Sequence, residues 1–346
     1  MWETLLFISL LAGQLGRIQI TSDIAFYFHD IVIFCYLLFH FKKIKLTLIT
    51  PLTIVFSSYI LLRAGNFAGL LYILRLFLYI SAIQLVLISK KLQSFWLKWL
   101  YYLGVGYAAI GFFQLLLYPN LRNLSYLGWD PHYLRLFSTL FDPNFVGCII
   151  VICFFLGLYL LTTAKSKLLL FFTQFILLFA LLLTYSRSSF VAFVAGLIVF
   201  IWVTKQWKYM FFLVLIPLVI FLFPSIGGIS TDIGRLWSVT ARITNWQEGI
   251  QLFFRSPIIG NGFAFRRIDS SVLFMLVTTG IIGFAGFANL GIYFIRFGLS
   301  MKKLLLKATY FSILAALFIH SMFVNTLFYP QILIWFWIFI GAISRS

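Results

Sequence analysis

Apolar runs about as long as a bilayer is thick recur from one end of this sequence to the other, and no other feature limits its fold as strongly. Residues 143–164 (PNFVGCIIVICFFLGLYLLTTA) and 188–204 (SSFVAFVAGLIVFIWVT) show the pattern. A helix crossing the hydrocarbon core needs about 20 such residues, with a range of roughly 17–25. With 63% hydrophobic and 10% charged residues among 346, a soluble domain could not hide the apolar surface. The chain therefore reads as an all-α, polytopic transmembrane helix bundle with about twelve spans. They fall near 4–20, 24–41, 48–62, 68–89, 95–118, 143–164, 168–184, 188–204, 209–223, 271–296, 307–328 and 331–345. Residues 1–346 read as one integral membrane domain, interrupted by longer loops at 119–142 and 224–270. Cys35, Cys148 and Cys153 all lie in apolar runs, so neither a disulfide framework nor a metal site is indicated. The N-terminus runs on into further apolar residues without a small-residue cleavage site, so no removable signal peptide is expected.

The position of the charges matters more than their sum of +18. Lys42, Lys43 and Lys45 share one loop, and Lys90, Lys91 and Lys98 the next but one. Lys165 with Lys167, Lys205 with Lys208, and Lys302, Lys303 with Lys307 follow in alternate loops. Every lysine thus falls on one side, which the positive-inside rule makes cytoplasmic. Both termini are then inside and both long loops outside. Nucleic acid is not an expected partner; the bilayer is. The arginines do the opposite. Arg17, Arg63, Arg122, Arg135, Arg187, Arg235, Arg242, Arg255, Arg266 and Arg267 lie at or near the outer face, and only Arg296 and Arg345 inside. Arginine recognises phosphate bidentately. The outer face therefore reads either as built for an anionic, phosphorylated ligand or as contacting anionic lipid headgroups.

Within the membrane, Asp30 and Arg75 each sit six or seven residues into a span from outside, ~10 Å deep at about 1.5 Å per residue, and are expected to pair. His29 and His320 are lone histidines on apolar helices, where packing or a hydrogen bond is the default. Thr184-Tyr185-Ser186-Arg187-Ser188-Ser189 begins a span at the outer face. Free N–H groups, the positive helix end, hydroxyls and Arg187 together suit an anion; a capped helix start with a snorkelling arginine is the plainer reading. Asp142-Pro143 is an efficient helix start, so Asp142 is read as a cap and not as a catalyst. Tyr126, Trp129, His132 and Tyr133 of the same loop could stack on sugar faces or form an interfacial belt.

The long second loop holds Arg242–Gly262. Ile243, Trp246, Ile250 and Phe253 give a short amphipathic helix, with Ser238 or Thr240 as its cap. Ser256-Pro257 stops it, and Gly260-Asn261-Gly262 turns the chain back. Arg266, Arg267 and Asp269 follow, and then Thr279-Gly280-Ile281-Ile282-Gly283.

These elements carry a resemblance. The R-x-x-x-W helix from Arg242 followed by S-P-x-x-G-x-G, the T-x-S-R turn ending at Arg187, R-x-F-x-x-x-F-D-P-N from Arg135, and the later G-I-x-G resemble the O-antigen polymerase and O-antigen ligase superfamily over roughly residues 135–285. The resemblance implies a metal-independent, cofactor-free glycosyltransferase in the bacterial inner membrane, with its active site facing the periplasm. Its donor is a glycan on undecaprenyl diphosphate. In a polymerase the acceptor is the terminal sugar hydroxyl of another lipid-linked repeat unit. Other membrane proteins of polysaccharide assembly are expected neighbours. With no metal motif in the sequence, arginines are left to offset the developing diphosphate charge. Asp269, Arg187 and Arg242 are the expected catalytic residues. Arg135, Arg187, Arg242, Arg266, Arg267, Asn245 and Trp246 are expected to bind the diphosphate and glycan. Asp269 is the candidate general base; a helix N-cap explains it equally, and Glu248 and Asp232 are weaker candidates. Ligases of the family carry a histidine near this helix start where this chain has Asp269, which favours polymerase over ligase. A ligase acting on lipid A-core, or a flippase for lipid-linked oligosaccharide, remains an alternative; the chain lacks the internal repeats usual in transporters.

Overall fold

The computed structural model describes residues 1–21, 24–44, 51–164, 167–213, 231–232, 237–263 and 268–345. The fold is helical. In chain order the helices are α1 (Trp2–Ala12), α2 (Phe28–Phe39), α3 (Pro51–Leu62), α4 (Phe67–Ser81), α5 (Ile83–Ile88), α6 (Gln93–Leu117) and α7 (Pro143–Thr163). They continue as α8 (Leu168–Leu183), α9 (Arg187–Thr204), α10 (Trp237–Arg255), α11 (Ser271–Leu299), α12 (Leu304–Phe323) and α13 (Pro330–Ile343). Among the described residues, 6 stretches are long and apolar enough to cross a membrane: Phe67–Ile88, Gln93–Leu117, Pro143–Thr163, Arg187–Thr204, Ser271–Leu299 and Leu304–Phe323. A helix is what an apolar run must form there, because hydrocarbon offers backbone N–H and C=O groups no partner. α2, α8 and α13 are shorter apolar helices.

The first predicted span is not one helix. α1 ends at Ala12, and Arg17–Gln19 then pairs antiparallel with Ala25–Tyr27. A helix through residue 20 would carry Gln14, Arg17 and Gln19 into hydrocarbon, where polar groups are costly. The break instead lets the Gln14 amide donate to Tyr329 at 3.1 Å and accept from Tyr27 at 3.1 Å. It also moves the start of the second predicted span from residue 24 to Phe28, so Asp30 stands in the first turn of α2 and not six residues down it. The predicted span 209–223 lies largely outside the described residues.

The chain folds as two compact units. The first comprises residues 1–100, 241–293 and 325–346. Asp30 and Arg75 meet there, with Nε 3.3 Å from Oδ2. Asp30 also accepts the Tyr79 hydroxyl at 2.6 Å and the Tyr27 N–H at 3.0 Å, while Arg75 donates to the Ala25 carbonyl. The expected pair thus exists, at the head of α2. His29 is fully buried and stacks on the Tyr27 ring at 5.0 Å. Both ends of the chain reach one face of this unit: Trp2 and Glu3 adjoin Lys43, Lys90 and Lys91, and Arg345 donates to the Lys91 carbonyl at 2.8 Å.

The second unit comprises residues 101–240 and 294–324. Its centre is α7, whose residues Val146–Leu156 are buried without interruption, as expected of a helix apolar on every side. α7 packs against α8, α9 and α12, and α9 lies along α12. Gln174 Nε2 donates to the Phe154 carbonyl at 3.0 Å, a lock between α8 and α7.

Candidate functional site

In the second unit the candidate residues gather on the α8–α9 turn. Ser186 caps α9, its side chain accepting the Ser189 N–H, and Arg187 is the first helical residue. The Arg187 guanidinium, half-buried, donates to the Ser238 hydroxyl. Arg135 is only 4% exposed. Its Nε donates to the Thr184 carbonyl at 2.9 Å, Nη2 to the Tyr185 carbonyl at 3.3 Å, and Nη1 lies 3.3 Å from His132 Nδ1. Arg135, expected beside substrate, braces the turn that carries Arg187. Gln114 holds the approach to it by accepting the N–H groups of Phe137 and Ser138 at 2.9 and 3.1 Å.

The backbone here is strained. Among the described residues, the non-glycine positions with left-handed φ are Leu134 (52°), Ser138 (48°), Phe141 (56°), Tyr185 (48°) and Lys205 (57°). Leu134, Phe141 and Tyr185 stand beside or next but one to Arg135, Asp142 and Arg187, and Ser138 lies between the first two. Such conformations cost of order 1–3 kcal/mol each and persist where surrounding contacts dictate them.

Beneath the turn lies a polar network that sequence reading did not assemble. Ser186 donates to Asn144 Oδ1 at 2.8 Å, Ser189 donates to the Asn144 carbonyl at 3.2 Å, and His320 Nε2 lies 3.2 Å from both Ser188 and Ser189 hydroxyls. His320 belongs to α12, more than a hundred residues away, so no local pattern could have pointed to it. Its expected role as a hydrogen-bonded histidine is met. Asp142 caps α7, accepting the Asn144 N–H at 2.7 Å. Burial pushes its carboxyl up to about 6, with Asp130 adding to the rise and the Asn144 N–H and Arg135 guanidinium opposing it.

In the first unit the candidates gather on α10. Arg242, Asn245 and Trp246 are spaced i, i+3, i+4 and so share a helix face. The Asn245 side-chain oxygen accepts the Asp269 N–H at 2.8 Å, and Trp246 Nε1 donates to the Asp269 carbonyl at 3.0 Å. Both sides of the Asp269 residue are thus held by adjacent residues of one helix. Asp269 is not the cap of α11: Ser270 accepts the Leu273 N–H at 3.3 Å and fills that role. The plainer of its two sequence readings is thereby removed.

Two details of α10 differ from the sequence expectation. The helix begins at Trp237, so neither Ser238 nor Thr240 caps it. Ile243 and Ile250 are 46% and 47% exposed, and the packed face is Trp246, Gly249, Leu252 and Phe253. Gly249 makes the difference, because a Cβ there would come within 2.8 Å of the Leu273 side chain. The helix stops at Arg255, as Ser256-Pro257 predicts. Glu248 is half-buried on α10, and Asp232 is exposed. Arg266 and Arg267 lie outside the described residues.

The segment after α10 is set into a break in α11. Gly280 has φ 64° and ψ −169° inside that helix. The N–H groups of Asn261 and Gly262 donate to the Val277 and Thr278 carbonyls at 2.8 and 2.9 Å, and Ile281 donates back to the Pro257 carbonyl at 2.9 Å. Carbonyls and amides freed by the break are satisfied by the S-P-x-x-G-x-G loop. Arg63 and Tyr59 of α3 and its end bind the same loop through the Gly260 and Ile259 carbonyls at 2.7 and 3.0 Å.

Residues 172–288 match the model of the O-antigen ligase family. The matched segment carries Arg187, Arg242, Asn245, Trp246 and Asp269, and it supports a function of the O-antigen polymerase or ligase type. Enzymes of this family are membrane glycosyltransferase-like, in keeping with the membrane-length helices found here. No curated protein matches the chain.

Proposed function

We propose that this protein polymerises a surface polysaccharide, moving glycan from undecaprenyl diphosphate to the terminal sugar of a second lipid-linked repeat unit at the outer face of the bacterial inner membrane. The observation that carries the reading is the hold of Asn245 and Trp246 on Asp269, on the helix face shared with Arg242. In the reaction the acceptor hydroxyl oxygen attacks the anomeric carbon, and the bond from that carbon to the diphosphate oxygen breaks. The diphosphate leaves with the bonding electron pair, and the hydroxyl proton passes to the Asp269 carboxylate. Arg242 and Arg187 are assigned to the leaving group's charge, each offering a planar fork that matches phosphate oxygens. Arg135 and the Asn144–Ser186–Ser189–His320 network fix the turn from which Arg187 projects.

Arg187→Lys and Arg242→Lys keep the charge and lose the fork. Each is expected to abolish long glycan chains while membrane protein levels stay normal, read as a glycan ladder from cells and by immunoblot. Full-length chains from a well-expressed lysine variant would remove that arginine from the site. The family match is equally compatible with a second reading, ligation onto lipid A-core by the same chemistry. Purified protein supplied with one lipid-linked donor and either acceptor separates the two: a polymerase elongates the lipid-linked unit and leaves lipid A-core unmodified.

A further inference from the structure

The first unit contains a cleft of about 460 Å³ at the face where both chain ends lie, lined by Trp2, Glu3, Tyr36, His40, Lys43, Ile88, Ser89, Lys90 and Lys91. Its charge is unbalanced. Lys43, Lys90 and Lys91 take part in none of the ion pairs among the described residues, whereas the carboxylate of Glu3 lies 3.3 Å from the Met1 amino nitrogen. The three lysines are exposed, with the Lys91 ammonium 5.1 Å from the Phe95 ring. The walls are preformed. Arg345 donates to the carbonyls of Leu87, Ser89 and Lys91 at 3.0, 2.6 and 2.8 Å, fixing the loop that bears two of the lysines. On the other side His40 stacks on Tyr36 at 4.3 Å, its Nδ1 3.0 Å from the Tyr36 carbonyl. With Nδ1 occupied by a carbonyl, Nε2 is the ring nitrogen left to a ligand.

We infer that this cleft binds the phosphate-bearing headgroup of an anionic membrane lipid. Lysine binds phosphate as a point charge without a fixed fork, so three lysines set around an aromatic-walled cleft at a membrane face suit a headgroup phosphodiester held by charge and depth. The lipid source follows from the surroundings: Phe39, Phe41 and Leu92, beside the lysines in sequence, are each more than 70% exposed and offer acyl chains an apolar surface. Basic pockets between membrane helices are a known way of holding such headgroups. This site is independent of the glycosyl-transfer reading and lies among the lysines rather than the arginines assigned to catalysis.

The test is native mass spectrometry of the full chain in detergent, titrated with phosphatidylglycerol or phosphatidylcholine. Wild type is expected to retain phosphatidylglycerol selectively. Each lysine beside an anionic headgroup contributes roughly fivefold, so Lys43→Gln, Lys90→Gln and Lys91→Gln together should weaken retention roughly a hundredfold. The corresponding triple arginine variant, which keeps the charge, should retain the lipid and so shows that the altered loops still fold. Replacing Lys302, Lys303 and Lys307 by Gln serves as the control and should leave retention unchanged. Equal retention by the triple glutamine variant, or equal loss in the control, overturns the site. Displacement of the lipid by glycerol 3-phosphate at equal concentration overturns the lipid as its occupant and assigns the cleft to a soluble phosphate.

Discussion

Removing Asp30 or Arg75 alone takes from the remaining charge the counter-ion it has at 3.3 Å. Breaking a buried pair in this way typically costs about 3–5 kcal/mol, whereas replacing both partners by apolar residues of similar volume is often close to neutral. Asp30→Asn, which keeps an acceptor for Tyr79 and Tyr27, and Arg75→Gln are therefore each expected to lower the thermal midpoint in detergent, and the double variant to lose clearly less than the sum of the two. Simple additivity would show that the two residues act separately. A finer effect is expected at Asp269. Asn245→Ala and Trp246→Phe each delete one hydrogen bond to its backbone, a contribution of ~0.5–1.5 kcal/mol. If Asp269 is held in register for proton transfer, each variant slows polymer formation about two- to tenfold at saturating donor, with little change in the donor concentration giving half the maximal rate. A rise in that concentration with an unchanged maximal rate would instead assign Asn245 and Trp246 to substrate binding. Asp30, Arg75, Arg242 and Asp269 were all legible in the sequence, because a charge in an apolar run or a polar loop stands out. The partners of such charges were not: Tyr79 is an ordinary residue until the fold brings it to Asp30, and Ser238 until it meets Arg187.

At the scale of elements, the loop 256–263 and the break in α11 depend on each other. Gly260 and Gly280 both have positive φ, 75° and 64°, and a Cβ added at Gly260 would lie 2.5 Å from the Gly280 nitrogen. At Gly280 an added Cβ would lie 2.3 Å from the Ile258 carbonyl oxygen. Alanine at either position meets left-handed strain of roughly 1–2 kcal/mol and overpacking of roughly 1–3 kcal/mol. Gly260→Ala and Gly280→Ala are each expected to destabilise the protein by several kcal/mol on that basis, seen as a large fall in its thermal midpoint. Gly291→Ala, with nothing within 4 Å of its added Cβ, should be tolerated. The sequence announced the loop through its proline and glycines but not the break, since a glycine between Thr279 and Ile281 looks like any other in a membrane helix. Amphipathic periodicity likewise located α10 and two residues of its packed face, Trp246 and Phe253, but not its centre, because a glycine carries no hydropathy and Gly249 is what lets that face approach.

At the scale of the whole molecule, hydropathy fixed the class of fold, while polar residues decided where helices begin. Gln14, Arg17 and Gln19 turned an expected span into a short helix and a hairpin. What hydropathy alone does not give is sidedness, and there the lysines make a definite claim. Trp2, Lys43, Lys90 and Arg345 come together at one face of the first unit, and the lysines make that face the expected cytoplasmic one. The claim extends to the two long loops, which must then be outside. Native thiols leave a quiet background for labelling: Cys148 and Cys153 are at most 1% exposed, and the half-buried Cys35 can be replaced by alanine. On that background Tyr126→Cys, at a position 79% exposed in loop 119–142, and Asp232→Cys, at an exposed position in loop 224–270, should react with a membrane-impermeant maleimide applied to spheroplasts. Lys90→Cys should react only after the membrane is opened. Labelling of Lys90→Cys in intact spheroplasts, or protection of both loop cysteines, would reverse the orientation, and with it the outward-facing site on which the glycosyl-transfer reading depends.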